Sequence, residues 1–265
     1  MRYALQPSPS HRQHYSVSAS WLQRCLQIGA ESSIPANMPV ELRLRSFSAL
    51  LPVLRHGAIG ADSVPELEPC LISRLASAFP GTGIRQFVAD ARDVSKERRL
   101  ALRTGDVLLQ TENPLTAGFS PPSAKDVEPA LSIALRSINA ALDRDQGDFR
   151  KAAICALLGS QILLTIHPFR DGNGRTARMF FAAKVLRHIG PSPSVLLGLL
   201  LIHRAGGHQY HQAAWAFRAG DVEPMLGLFV SSVRLAAEQL LPNAQAEMPP
   251  EVLLEHCWSG LRKWL

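Results

Sequence analysis

Lysine is nearly missing from this chain. Of 28 basic residues only five are lysine (Lys96, Lys125, Lys151, Lys184 and Lys263), so arginine carries the formal net charge of +6. A basic balance can signal a phosphate-bearing partner, and an arginine-rich composition accounts for the charge equally well. Dense basic runs interleaved with aromatics are absent, so nucleic-acid binding is not expected. Cysteine is scarce too. Cys25, Cys70, Cys155 and Cys257 lie far apart and form no CxxC pair, which excludes a disulfide framework and a cysteine zinc site and points to a reducing compartment. The opening stretch MRYALQPSPSHRQHYSVSASW lacks the continuous apolar core of a signal peptide. The longest apolar run, VLLGLLLI at 195–202, is far short of the roughly 20 residues of a membrane span. A cytoplasmic protein with no membrane span is therefore expected. No internal repeat is visible.

What the chain does have is apolar material. Hydrophobic residues make up 46% of 265 residues and charged residues 19%, enough to fill one domain with extensions or two small ones and too little charge for disorder. The first 20 residues, rich in Ser, His and Gln, read as a poorly ordered tail. Helical spacing recurs in PELEPCLISRLASAF, in DVEPALSIALRSINAALDR (Val127, Leu131, Ile133, Leu135, Ile138, Leu142), and in SVLLGLLLIHR, HQYHQAAWAFRAG and EPMLGLFVSSVRLAAEQLL. A last helix is read in PPEVLLEHCWSGLRKWL. From Phe149 to Ile166 the pattern is helical and apolar nearly all round, as in the central helix of a bundle. One segment differs: at 105–122 the runs DVLLQ and LTAGF flank the turn-like TENP, which reads as a small β-hairpin ended by Pro121-Pro122. The fold class expected is mainly helical with this one hairpin.

Between two apolar helices stands HPFRDGNGRTAR, residues 167–178. Pro168 disfavours helical geometry at the preceding residue, so the central helix should stop at His167. Phe169 should plug into the core and pin the loop. Gly172 and Gly174 allow close backbone approach just before a new helix begins, and a glycine turn opening a helix aims N–H groups and the positive dipole end at one anion site. Arg175 and Arg178, three apart, share a helix face in its first turn. Cations there oppose the helix dipole, unless a polyphosphate is bound, which guanidinium groups clamp in two-pronged fashion. Asp171 would repel phosphate directly but not through a divalent metal, and Mg²⁺ commonly takes one or two carboxylates plus substrate phosphates. The loop thus reads as a base, a metal carboxylate, an amide nest and an arginine pair. It is not an EF-hand, because Thr176 and Ala182 stand where the loop glycine and glutamate should be, and it lacks the Gly-Lys-Ser/Thr of a Walker A loop. His203, His208 and His211 have no acid or cysteine to complete a metal set.

The twelve residues resemble the Fic family signature, HPFx[D/E]GNGRxxR, at every specified position. The hairpin at 105–119 sits where Fic proteins carry a substrate flap, and QYHQAAWAFRAGDVEPMLGLF (209–229) is similar to the later Fic helices. The resemblance implies an all-α Fic fold with a β-hairpin flap, a core domain over 95–240, an N-terminal extension over 1–94 and a C-terminal helix over 241–265. It implies a protein adenylyltransferase that moves AMP from ATP to a Ser, Thr or Tyr hydroxyl of a target protein and releases pyrophosphate. In that scheme His167 is the catalytic base and Asp171 holds Mg²⁺. Gly172, Asn173, Gly174, Arg175 and Arg178 bind the phosphates, and Tyr210 lines the nucleotide pocket. The flap would hold the target by strand addition. Transfer of phosphate, UMP or phosphocholine, and a non-catalytic nucleotide-dependent module, are the rival readings. The family's inhibitory motif [S/T]xxxE[G/N] is not found: Glu112-Asn113 is the one Glu followed by Gly or Asn, and Leu108 stands where Ser or Thr is required. Inhibition by a separate antitoxin chain, or an unregulated toxin or effector delivered into a host cell, are the corresponding expectations.

Overall fold

The computed structural model describes residues 71–237, apart from 96–97, 109–119, 145–147, 191 and 205–207. Among the described residues there are eight helices and no strand: α1 (Leu71–Ser77), α2 (Ile84–Ser95), α3 (Ala124–Arg144), α4 (Phe149–Ile166), α5 (Asn173–His188), α6 (Pro193–Arg204), α7 (His208–Arg218) and α8 (Glu223–Leu235). The described part of the chain is thus mainly helical, as its periodicity predicts. Of the expected hairpin at 105–119, residues 105–108 are in no strand, and residues 109–119, with the tail at 1–20 and the helix at 249–265, lie outside the described residues. Helix α2, with Phe87, Ala91 and Val94 on its buried face, was not anticipated from the sequence.

Helix α4 is the centre. Its 18 residues are apolar enough to cross a membrane by composition, yet 78% of them are buried inside the protein, as a core helix must be. It packs most extensively on α5 and then on α3, while α8 joins α6 and α7 in a second layer. The α3–α4–α5 approach is set by Gly159, where a Cβ would come within 2.9 Å of Phe180 and 3.2 Å of Ile138. Asp148 starts α4 by accepting hydrogen bonds from the N–H groups of Arg150 and Lys151 at 3.1 and 3.2 Å, the side-chain cap that an N-terminus needs. Cys155 is buried in α4.

A cluster of phenylalanines joins the N-terminal helices to this centre. Phe87 stacks on Phe169 with ring centroids 6.1 Å apart, and Phe79 meets both Phe87 and Phe180 at 5.4 Å. Beside it, Lys184 of α5 is fully buried and donates to the Phe79 carbonyl at 2.8 Å and to Asn139 Oδ1. Arg187 donates to the carbonyls of Ala76, Ala78 and Phe79. Carbonyls at and beyond the C-terminus of α1, which have no intrahelical donors, are thus satisfied by two cations of α5.

Candidate active site

His167 closes α4. Its N–H still donates to the Leu163 carbonyl at 2.9 Å, but its backbone is left-handed, with φ 53° and ψ 59°. A non-glycine residue rarely adopts this conformation. Pro168 accounts for the end of the helix, as expected from the sequence. The His167 carbonyl accepts from Arg103 Nε at 2.8 Å. Its ring is half-buried, and Nδ1 is buried without a hydrogen-bond partner. Burial is the main reason the ring pKa falls to about 4. The nearby Leu164 carbonyl opposes that fall, Arg103 and Arg218 add to it, and Asp171 opposes it. The imidazole is neutral above that pH, with Nε2 as its remaining nitrogen.

The loop that follows is pinned at both ends. Phe169 is fully buried and forms an antiparallel bridge with Leu102, beside the hydrogen bond from Arg103 N–H to the Pro168 carbonyl at 2.9 Å. Asn173, the first residue of α5, accepts from the Phe169 N–H at 2.9 Å and donates to the Phe169 carbonyl at 2.8 Å. Its side chain therefore works mainly as a clamp on the loop, leaving its backbone N–H for an anion. Gly172 takes the left-handed conformation, φ 82°, at the N-cap, and a Cβ there would lie 3.1 Å from Leu100 Cδ1. No side chain caps α5, in contrast to α4. Gly172 offers no side-chain acceptor there, and the positive dipole end of α5 faces the loop.

Around this turn, Asp171 is almost fully exposed. Its Oδ1 accepts from the Gly172 N–H at 2.6 Å, and its Oδ2 lies 3.5 Å from the Arg175 guanidinium. Arg178 lies one turn on, close enough to Gly174 that a Cβ there would sit 3.3 Å from its Nη1. Tyr210 of α7 donates from its hydroxyl to Gln161 Oε1 of α4 at 3.3 Å. Burial pushes the phenol's pKa up, while Arg218, the Gln161 bond and Arg178 pull it down. Burial likewise pushes Arg178 down, against the effect of Tyr210 and together with Arg175. The fold thus brings Tyr210 to Arg178, and Arg218 to both Tyr210 and His167. Three of these residues, Arg103, Gln161 and Arg218, were not anticipated. Arg218 stands three residues before Asp221 in a stretch that looked family-like. Arg103 and Gln161 carry no local signal, because their partners come from other parts of the chain.

A single exposed carboxylate beside open amides and guanidinium groups suits Mg²⁺, which keeps waters and phosphates in its shell. Among the described residues no group of three or more His, Cys, Asp and Glu could cage a metal without them. Residues 88–183 match the family model described as the Fic/DOC family. The chain carries a Fic/DOC family domain. This domain runs from within α2 through the His167 loop to the middle of α5. The chain is also 28% identical over 109 residues to the protein adenylyltransferase Fic of Culex quinquefasciatus, a match covering 41% of this chain and 20% of that protein. The match thus spans about a fifth of the length of that relative.

Proposed function

We propose that this chain is a protein adenylyltransferase that joins AMP from ATP to a Ser, Thr or Tyr hydroxyl of a target protein. The observation that carries the reading is the pairing of a neutral, half-buried imidazole with an uncapped helix N-terminus bearing two arginines. A binding module needs the cradle but has no use for the base.

ATP would lie with its phosphates on the first-turn N–H groups of α5. Arg175 grips the outer phosphates, with Arg178 deeper and Tyr210 beside it, as the charge pattern favours. Asp171 would hold Mg²⁺, which would neutralise phosphate charge there. His167 Nε2 takes the proton of the target hydroxyl, and the freed oxygen bonds to the α-phosphorus. The bond from that phosphorus to the bridging oxygen breaks, and pyrophosphate leaves with the electron pair. Catalysis is mostly positioning plus electrostatic stabilisation of the equatorial oxygens by amides already in place. Residues 105–119 are assigned to the target's main chain. The lack of an [S/T]xxxE[G/N] motif assigns any inhibition to a separate chain, as in an antitoxin pair, or leaves a delivered effector unregulated this way.

The test uses the full chain with Mg²⁺ and ATP labelled on the α- or the γ-phosphate, added to cell lysate. Protein-bound label from the α-position, absent with His167→Ala, is expected. Label from the γ-position would instead make the chain a kinase, and none from either would leave a binding module.

A further inference from the structure

Arg103 is a buried arginine with an unusual set of partners. Only 2% of its side chain is exposed. Its Nε donates to the His167 carbonyl at 2.8 Å, one Nη to the Gly105 carbonyl at 3.2 Å, and the other to the Pro122 carbonyl, with the Ile166 carbonyl at 3.5 Å. Among the described residues the carboxylate paired with it is Asp106, at 4.0 Å and largely exposed. Burying a guanidinium mainly against neutral carbonyls is expensive, and burial indeed pushes its pKa down. Helix ends are ordinarily closed by water or a C-cap glycine. Here the last carbonyls of α4 are held by an arginine 64 residues away. The same fork spans Gly105 and Pro122, the chain on either side of residues 109–119, and the backbone of Arg103 bonds Pro168 next to the histidine.

We propose that Arg103 is the positioning residue of His167. Its planar fork holds the histidine's left-handed backbone at the end of α4 and locks that backbone to the chain segments 103–106 and 120–122. Arg103 touches no phosphate-binding residue named above, so its effect is on the base and not on nucleotide affinity. Lysine cannot substitute. A single ammonium presents its three donors from one point and cannot span four carbonyls from different segments. The part of this inference that concerns transfer rests on the adenylyltransferase reading, whereas the part that concerns the ring does not.

The experiment compares the full chain with Arg103→Lys and Arg103→Gln. Three quantities are read: kcat with saturating Mg²⁺-ATP, affinity for a non-hydrolysable ATP analogue, and the His167 ring titration by NMR, assigned with His167→Asn. The charged groups that face this ring are Arg103, Arg218 and Asp171. With Arg103→Lys, kcat is expected to fall about 10²-fold, the cost of slight misplacement, while the ring midpoint stays where it was. With Arg103→Gln the cation is gone, so the midpoint rises, by about half a unit or more. In both variants analogue affinity stays within about twofold, because the sites are separate. Unchanged kcat in Arg103→Lys, a parallel loss of kcat and analogue affinity, or an unmoved midpoint in Arg103→Gln would each overturn the proposal. A parent protein without transfer activity refutes the adenylyltransferase reading instead, and the His167 backbone amide resonance in Arg103→Lys, shifted if the fork holds that left-handed backbone and unmoved if it does not, then decides the positioning role.

Discussion

An imidazole with a pKa of about 4 is ready as a base throughout the physiological range, at the cost of low basicity. The acid limb of kcat/KM, which reports the free enzyme, is therefore expected near pH 4 and not near 6.5. The limb of kcat should lie higher, because bound triphosphate adds negative charge beside the ring. A pH–rate profile checks both. Exchange of His167 for Ala should lower kcat by roughly 10²–10⁴-fold with analogue affinity unchanged. At Gly172 the constraint is conformational: with φ 82° and Leu100 3.1 Å from any Cβ, Gly172→Ala should destabilise by about 1–2 kcal/mol, measured by urea unfolding. At this scale the sequence was highly legible. His167, Asp171, Gly172, Asn173, Gly174, Arg175 and Arg178 all fall within twelve contiguous residues, so spacing alone brings them together.

The two helices around the loop begin in opposite ways. Helix α4 has the Asp148 cap, with bonds of 3.1 and 3.2 Å to the N–H groups of Arg150 and Lys151. Asp148→Ala should thus cost about 1 kcal/mol in thermal or denaturant unfolding, with transfer activity preserved. Helix α5 begins with a glycine, no cap and two arginines, a poor design for a helix alone and a good one for a triphosphate. Arg175→Ala is expected to weaken binding of an ATP analogue by about tenfold or more, with stability unchanged or slightly raised, as calorimetry of both processes would show. Apolar content and spacing pointed to α1 and to α3 through α8. Helix α2 was not picked out, although Ile84, Phe87, Val88, Ala91 and Val94 are spaced as one helical face; its twelve residues carry only that short stripe among Arg85, Asp90, Arg92 and Asp93. The phenylalanine cluster fixes where that helix packs.

Across the whole molecule, the buried Lys184 and half-buried Arg187 tie α1 and the segment after it to α5. Burial lowers the Lys184 pKa from 10.5 to about 8, Arg187 adds to this, and Asp143 and Asp90 oppose it. The folded pKa lies below the unfolded one, so between pH 8 and 10.5 the unfolded chain binds more protons. Stability from this group is therefore lowest below pH 8 and rises as pH climbs toward 10.5. The full change is on the order of 3 kcal/mol. Urea unfolding of the parent and of Lys184→Met across that range should show this rise in the parent and its loss in the variant. Nothing in the sequence around Lys184 announces the arrangement, since its partners, Phe79 and Asn139, lie 105 and 45 residues away.

The chain's order of residues by itself placed His167, Asp171, the Gly172–Gly174 turn and the two arginines together, because all of them fall within twelve residues between two helices. It also settled that helices flank them, since Pro168 must end one and the glycines open the next. Tertiary structure alone decided how strongly the imidazole is desolvated, that the charge of Arg218 of α7 acts on it, that Tyr210 meets Gln161 of α4, and that Arg103 holds the His167 carbonyl from 64 residues away. Dielectric and long-range hydrogen bonding depend on which segments enclose a group, and local spacing carries no record of that.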